Sequence, residues 1–247
     1  MTVTDAGLFG PTGAKAATGV RISVCIPARN EAATVAGVVS PVVTALDGPE
    51  RLVDEVIVVD DGSSDGTGPI AAAFGALVVR RDGRPGKGAA MAEALGASTG
   101  DIVVFLDADV SNFDIGFVTR LVEPLLVDPG IVLVKGTYRR PENDGAGGGR
   151  VTELLARPLL RRLFPELAFL RQPLAGEVAV RRAALDGIAL EPGYGVEIGM
   201  LIDVARRFGP CAVAEVDLGE RVHRNRPLDE LAGQADEVLA AVLSRTV

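Results

Sequence analysis

Two carboxylates spaced i, i+2 close an apolar run of strand length, Ile102-Val103-Val104-Phe105-Leu106-Asp107-Ala108-Asp109. Such a run reads as a strand buried on both faces, so Asp107 and Asp109 fall at its carboxyl end. That is the edge where open α/β sheets bind ligands. Carboxylate oxygens are hard ligands, suited to Mg2+ or Mn2+ held together with substrate phosphates. The same tripeptide also occurs in solvated loops that lead into helices, so its meaning depends on what else reaches that edge.

Three further strand ends reach it. The first strand runs into Pro27-Ala28-Arg29-Asn30-Glu31 and a helix. This places backbone N–H groups and polar side chains at the ligand edge, with Asn30 as the alternative N-cap. The second ends in Asp60-Asp61-Gly62-Ser63-Ser64-Asp65. Its doubled acid can accept hydrogen bonds from a base or a ribose, and the following residues turn the chain sharply. After the third, Arg84-Pro85-Gly86-Lys87-Gly88 opens a helix. Its glycines permit close backbone approach and Lys87 offers a point charge to a phosphate, although the glycine spacing is not that of a P-loop.

In the second half, Gly147-Gly148-Gly149-Arg150-Val151-Thr152 puts an arginine and exposed amides at a helix start, an anion-binding arrangement. Residues 172–177 form a polar turn able to shape a pocket. The stretch Gly193-Tyr194-Gly195-Val196-Glu197 leads into a helix and offers Glu197 as a carboxylate. His223, the one histidine in the chain, is a candidate third metal ligand beside the two aspartates.

These residues need a scaffold, and the hydropathy pattern supplies one. Strands are expected at 21–26, 55–59, 76–79 and 102–106, with helices at 31–46, 68–74, 87–97 and 113–126. Alternation of this kind builds a mostly parallel, Rossmann-like α/β sheet flanked by helices. After 132–135 the rhythm changes: a glycine-rich loop at 143–149, a helix at 151–163 interrupted by Pro158, strands at 178–181 and 212–217, and helices at 196–208 and 228–242. Residues 1–19 read as a flexible leader. Residues 20–247 read as one domain whose part 20–135 binds nucleotide and whose part 136–247 builds an acceptor site.

The composition bounds the function. The chain has 247 residues, 48% hydrophobic and 23% charged, which suffices for a large core. A formal charge of −8, the absence of tryptophan and 4% aromatics argue against a nucleic-acid surface. Cys25 and Cys211 are far apart and read as small buried residues, not as a disulfide. No secretory leader or spanning segment is evident, so the expectation is a cytoplasmic protein without membrane contact.

Taken together, Ile-Pro-Ala-Arg-Asn-Glu, Val-Val-Asp-Asp-Gly-Ser-Ser-Asp, Pro-Gly-Lys-Gly and Asp-Ala-Asp resemble the family-2-like glycosyltransferases of the GT-A fold. The blocks at 147–160, 172–177, 194–202 and 222–226 resemble, more narrowly, the retaining glucosyl-3-phosphoglycerate synthase family and its mannosyl relatives. The resemblance spans about residues 20–243. It implies that Pro27, Ala28, Glu31, Ser63 and Lys87 hold a nucleoside diphosphate, with Asp61 near the base or ribose. It implies Asp109 and His223 as ligands of Mg2+ or Mn2+, with Asp107 beside the ribose or the metal shell. Gly149, Arg150, Thr152 and Asn225 would hold 3-phosphoglycerate, and Glu197 would contact the transferred sugar. Asp109, Lys87 and Glu197 are then the candidate catalytic groups, and a homodimer is the expected assembly. Val110-Ser111-Asn112 departs from the continuation expected after Asp109, which leaves the donor open.

Glucose and mannose, and uridine and guanosine diphosphate, stand as alternatives. A sugar nucleotidyltransferase would carry a glycine-rich basic loop where residues 27–31 stand. A polyprenyl-phosphate sugar transferase would carry a membrane element. A non-catalytic nucleotide-binding protein would release no UDP.

Overall fold

The computed structural model describes residues 10–48, 51–139, 149–222 and 228–246. The strand-forming runs are rich in Val and Ile and buried on both faces, as a covered parallel sheet requires. They are β1 (Ile22–Ala28), β2 (Glu55–Asp60), β3 (Leu77–Arg80), β4 (Ile102–Phe105), β5 (Leu133–Arg139), β6 (Val178–Arg181) and β7 (Val213–Glu220). They form one seven-stranded sheet in the order β3-β2-β1-β4-β6-β5-β7. β1 pairs in parallel with β2 and β4, and β5 with β7, while β6 runs antiparallel to both β4 and β5. The fold is therefore the mostly parallel α/β sheet expected, with one reversed strand.

Helices cover both faces. α2 (Val35–Asp47), α3 (Thr67–Ala73) and α5 (Gly116–Val127) belong to the layer around Val24, Ile26, Val58, Val104 and Val134. α4 (Lys87–Ala97), α6 (Arg157–Leu163), α7 (Val196–Phe208) and α8 (Leu228–Leu243) close over Cys25, Ile57, Val103, Phe105 and Val180. Successive strand residues point to opposite faces, so each strand feeds both layers.

The fold departs from the sequence expectations at several places. Within the expected leader, Gly10–Thr18 forms α1 and packs on α5. Its sequence shows no apolar stripe; Lys15, mostly buried, anchors it through an ion pair to Asp54 at 2.8 Å and a bond to the Arg51 carbonyl. The helix expected at 151–163 is irregular just before Pro158. The chain makes a wide i→i+5 turn over Thr152–Ala156, with Arg157 N–H donating to the Thr152 carbonyl, and Pro158 then lies in the first turn of α6, where its missing N–H costs nothing. Cys25 is buried as expected, but Cys211 is exposed in a short 3-10 turn before β7. The loop expected at 143–149 lies outside the described residues except for Gly149.

The direction of β6 has the largest consequence for the ligand edge. Because it is antiparallel, its first residue lies level with the last residue of β4: Val178 pairs with Phe105 on one side and with Lys135 on the other. The turn entering β6 therefore reaches the same edge as the aspartates.

Candidate active site

The loops at the carboxyl edge enclose a cavity of about 300 Å3. It is lined by Pro27, Ala28, Glu31 and Asp61 from the first two strand ends, by Lys87 at the start of α4, and by Asp107 and Asp109 after β4. From the second half come Gly149, Arg150 and Thr152, Leu174, Tyr194 and Glu197, Arg221, and one face of α8 through Leu231, Gln234 and Val238. Residues from both halves of the chain thus share one cleft.

The doubled acid after β2 divides its labour. Asp60 turns inward, accepting from Ser63 N–H at 2.8 Å and pairing with Arg80 at 3.3 Å. Asp61 faces the cavity and is itself held, by an ion pair with Arg81 and by the Gly86 N–H at 2.8 Å. Ser63, expected against the nucleotide, is not among the lining residues: its hydroxyl accepts from Asn30 N–H at 3.0 Å. Glu31 N–H and Ala32 N–H likewise donate to Thr67 and Asp65. Several amides after β1 therefore knit two loops together instead of facing the cleft.

The close backbone approach that the glycines around Lys87 permit is made to the protein's own chain. A Cβ on Gly88 would lie 1.7 Å from the Glu191 carbonyl oxygen, and Ala89 N–H donates to the Pro192 carbonyl at 2.8 Å. The close approach is to protein backbone, not phosphate, and it docks the start of α4 against the segment entering α7. This contact brings the two helix starts together. Lys87 Nζ then lies 2.5 Å from Glu197 Oε1 and 2.7 Å from Asp107 Oδ1. Burial opposes the charge on Lys87, but the two carboxylates outweigh it and hold the ammonium well above its ordinary pKa.

Arg221, which the sequence motifs do not single out, joins the cluster. It follows β7 and is almost fully buried. Its Nη2 lies 2.7 Å from Asp107 Oδ2 and 2.9 Å from Asp109 Oδ1, its Nε 2.7 Å from Glu177 Oε1, and its guanidinium sits over the Tyr138 ring at 5.1 Å. Burial again opposes the charge; Glu177 foremost, with Tyr138 and the aspartates, raises the Arg221 pKa well above the usual value. Burial pushes the Glu177 carboxyl up, against the pull of Arg221. The only sequence signal for this arginine is its place in Glu220-Arg221-Val222-His223, where the histidine is the more conspicuous candidate.

The two aspartates converge on one guanidinium nitrogen, so their oxygens can be presented to a single cation. Among the described residues no group of three or more His, Cys, Asp or Glu side chains forms a ready-made cage. Mg2+ is commonly held by one or two carboxylates plus substrate phosphates, and the donor set fits a cation completed in that way. His223 and Asn225 lie outside the described residues. The chain before them is placed: Ser111 N–H and hydroxyl both donate to the Val222 carbonyl, at 3.0 and 2.9 Å, and Val222 N–H donates to Asn112 Oδ1 at 2.8 Å.

Gly176 seats Asp107. A Cβ there would lie 2.2 Å from Asp107 Oδ1, so Gly176→Ala must push the carboxylate off Lys87 and Arg221. A displacement of this size at a reacting centre costs about 100-fold in rate. Steady-state turnover and a thermal melt on the same sample check it: kcat falls while the melting temperature shifts little, and unaltered kcat would show that Asp107 need not sit there.

A parallel α/β edge with paired aspartates, a half-buried lysine and an arginine-bearing helix start defines a metal-dependent nucleotide-sugar glycosyltransferase of the GT-A class. Comparison with known proteins narrows this. Residues 23–184 match the model described as glycosyl transferase family 2. Glucosyl-3-phosphoglycerate synthase of Mycobacterium tuberculosis (strain ATCC 25618 / H37Rv) is 50% identical over 242 residues, covering 92% of this chain and 74% of that protein. The crystal structure of the M. tuberculosis enzyme with Mn2+, UDP-glucose and phosphoglyceric acid is 50% identical with a TM-score of 0.87, covering 96% of this chain and 82% of the other. A structure of that enzyme with Mg2+ and UDP gives 48% identity and the same TM-score of 0.87, covering 100% of this chain and 83% of the other. The chain belongs to glycosyl transferase family 2 and, within it, to the glucosyl-3-phosphoglycerate synthases. No helix among the described residues is long and apolar enough to cross a membrane.

Proposed function

We propose that this protein transfers glucose from UDP-glucose to the 2-hydroxyl of 3-phosphoglycerate, with retention at the anomeric carbon and dependence on Mg2+ or Mn2+. The observation that carries this is the shared lining of one cleft by Asp107, Asp109 and Lys87 from the first half of the chain and Arg150, Thr152 and Glu197 from the second. It is supported by the relative of half-identical sequence whose structure holds Mn2+, UDP-glucose and phosphoglyceric acid together.

Asp109, with His223, would hold the cation, with Asp107 in the surrounding shell; when bound, the cation supplies Lewis-acid neutralisation of the departing diphosphate. Lys87 and Arg221 add two fixed positive charges beside the aspartates, preorganised by ion pairs before substrate arrives. Gly149 takes a φ of 84°, in the left-handed region, and turns the chain so that Arg150 enters the cavity. Arg150 can grip the acceptor's phosphate or carboxylate with two parallel N–H donors, with Thr152 beside it in the cavity lining; Asn225 is the further acceptor contact that the family resemblance implies. Glu197 has one oxygen committed to Lys87 at 2.5 Å, which suits orienting the sugar hydroxyls better than attacking the anomeric carbon. A front-face path then needs no separate general base, because the leaving phosphate takes the acceptor proton.

The test is a donor-by-acceptor matrix (UDP-glucose, GDP-mannose; 3-phosphoglycerate, glycerol 3-phosphate, water) with Mg2+ and Mn2+, read by UDP or GDP release and by NMR of the product. An α-linked glucosyl product from UDP-glucose and 3-phosphoglycerate is expected. Product from GDP-mannose alone would overturn the donor, pyrophosphate release the reaction class, and inversion the stereochemistry. Arg150→Ala is expected to lower kcat/KM for the acceptor about 10- to 100-fold, the worth of a charged hydrogen-bond pair, with KM for UDP-glucose little changed. An equal loss toward both substrates would place Arg150 elsewhere in the reaction.

A further inference from the structure

Beneath the cleft lies a charged layer that does not touch it. Lys135 on β5 and Glu177 at the start of β6 are both wholly buried, and neither lines the cavity. Lys135 Nζ donates to the Ala175 carbonyl at 2.5 Å, and Gly136 N–H to the Glu177 carbonyl at 2.9 Å. A lysine buried this completely carries a desolvation cost that a methionine of similar volume would avoid. For Lys135 burial is the dominant influence, drawing its pKa down to about 8 against the pull of the Glu197, Glu177 and Asp107 carboxylates. Fold stability alone does not explain keeping it.

The connections explain it better. The carbonyl Lys135 holds belongs to the turn Leu174-Ala175-Gly176-Glu177. Leu174 lines the cavity, Gly176 abuts Asp107, and Glu177 holds Arg221 against both aspartates. One buried ammonium therefore fixes the segment that fixes the cation-binding carboxylates.

We propose that Lys135 is a positioning residue for the transfer step, setting Asp107 and Arg221 through the 174–177 turn without touching substrate. The proposal rests on the glycosyl-transfer reading for its kinetic arm, and on binding alone for its second arm. Groups one layer behind a metal site cost about 10- to 100-fold in metal affinity or activity when removed.

Lys135→Met and Lys135→Gln are compared with wild type by thermal melting, by titration calorimetry of UDP in the presence of Mn2+, and by steady-state kinetics with UDP-glucose and 3-phosphoglycerate. Lys135→Gln keeps a donor and loses the charge, so the outcome does not hang on one variant folding. The expected result is a melting temperature unchanged or raised for Lys135→Met, affinity for UDP with Mn2+ lowered about tenfold, and kcat lowered about 10- to 100-fold. The KM for 3-phosphoglycerate stays within about threefold, since Arg150 and Thr152 lie on another element. Wild-type affinity and kcat in a folded variant overturn the proposal, as does a loss that follows the melting temperature and raises both KM values together. Should wild type form no product with 3-phosphoglycerate, the acceptor assignment fails while the calorimetric arm still decides for or against Lys135.

Discussion

Asp109→Ala lowers kcat by about 10^3-fold or more, with a melting temperature close to wild type. Asp107 cannot substitute for the missing ligand. Its Oδ1 is engaged by Lys87 at 2.7 Å and its Oδ2 by Arg221 at 2.7 Å, so both oxygens are already shared with fixed cations. Asp109 meets Arg221 through Oδ1 at 2.9 Å, and its side chain is one-fifth exposed toward the cleft. A bound cation therefore leans on Asp109. Losing about 4 kcal/mol of charge stabilisation as the diphosphate departs corresponds to about 10^3 in rate. The fold depends little on the pair, because the buried Arg221 keeps two other counter-charges when Asp109 is removed, Glu177 Oε1 at 2.7 Å and Asp107 Oδ2 at 2.7 Å. Metal-titrated turnover and a thermal melt check both halves. Asp109→Asn separates charge from shape, and wild-type turnover by the purified alanine variant would remove Asp109 from the site.

Much of the scaffold was legible because its signals are local. α4, α7 and β6 occupy Lys87–Ala97, Val196–Phe208 and Val178–Arg181, matching the expected limits 87–97, 196–208 and 178–181. Each begins where glycine or a polar residue breaks an apolar pattern. The first four strands fall within about two residues of expectation for the same reason. The strand direction of β6 was not legible, since four residues of apolar character carry no arrow. It is set by pairing with β4 and β5, and with it comes the placement of Gly176 and Glu177 at the aspartates.

Most of the residues that the motifs single out converge on one cavity, and a few do not. Asp61, Lys87, Asp107, Asp109, Arg150 and Glu197 all line one cleft. Ser63 does not, because its hydroxyl is the acceptor for a loop amide that would otherwise be unmet. Gly88, read as permitting a close backbone approach, makes that approach to the Glu191 carbonyl. Ser111 and Asn112, a departure from the expected continuation after Asp109, are the residues that pin Val222. In each case a long-range partner decided the role, and a partner tens of positions away or more leaves no trace in local pattern. Arg221 and Lys135 escape a sequence reading for a related reason: each cation's role appears only once the carboxylates around it are placed.

Lys87→Met lowers kcat about 10^2- to 10^3-fold while the protein stays folded. In wild type Lys87 bridges Asp107 and Glu197, carboxylates from different elements that its ammonium joins. Removing it leaves two anions facing each other in a partly desolvated cleft, which costs the geometry of both and removes a positive charge beside the diphosphate. Arg221 cannot cover the loss, since it is held by Glu177 and the Tyr138 ring on the far side of Asp107. Lys87→Arg is not a rescue: the longer planar head cannot place one nitrogen at 2.5 Å from Glu197 and 2.7 Å from Asp107 without shifting a helix start already in backbone contact at Gly88. The discriminating measurement is the double variant Lys87→Met/Glu197→Gln. If Lys87 acts chiefly by holding Glu197, the double variant is no worse than Lys87→Met. If it acts chiefly on the leaving diphosphate, the two losses multiply. Full activity in Lys87→Met alone would exclude both roles.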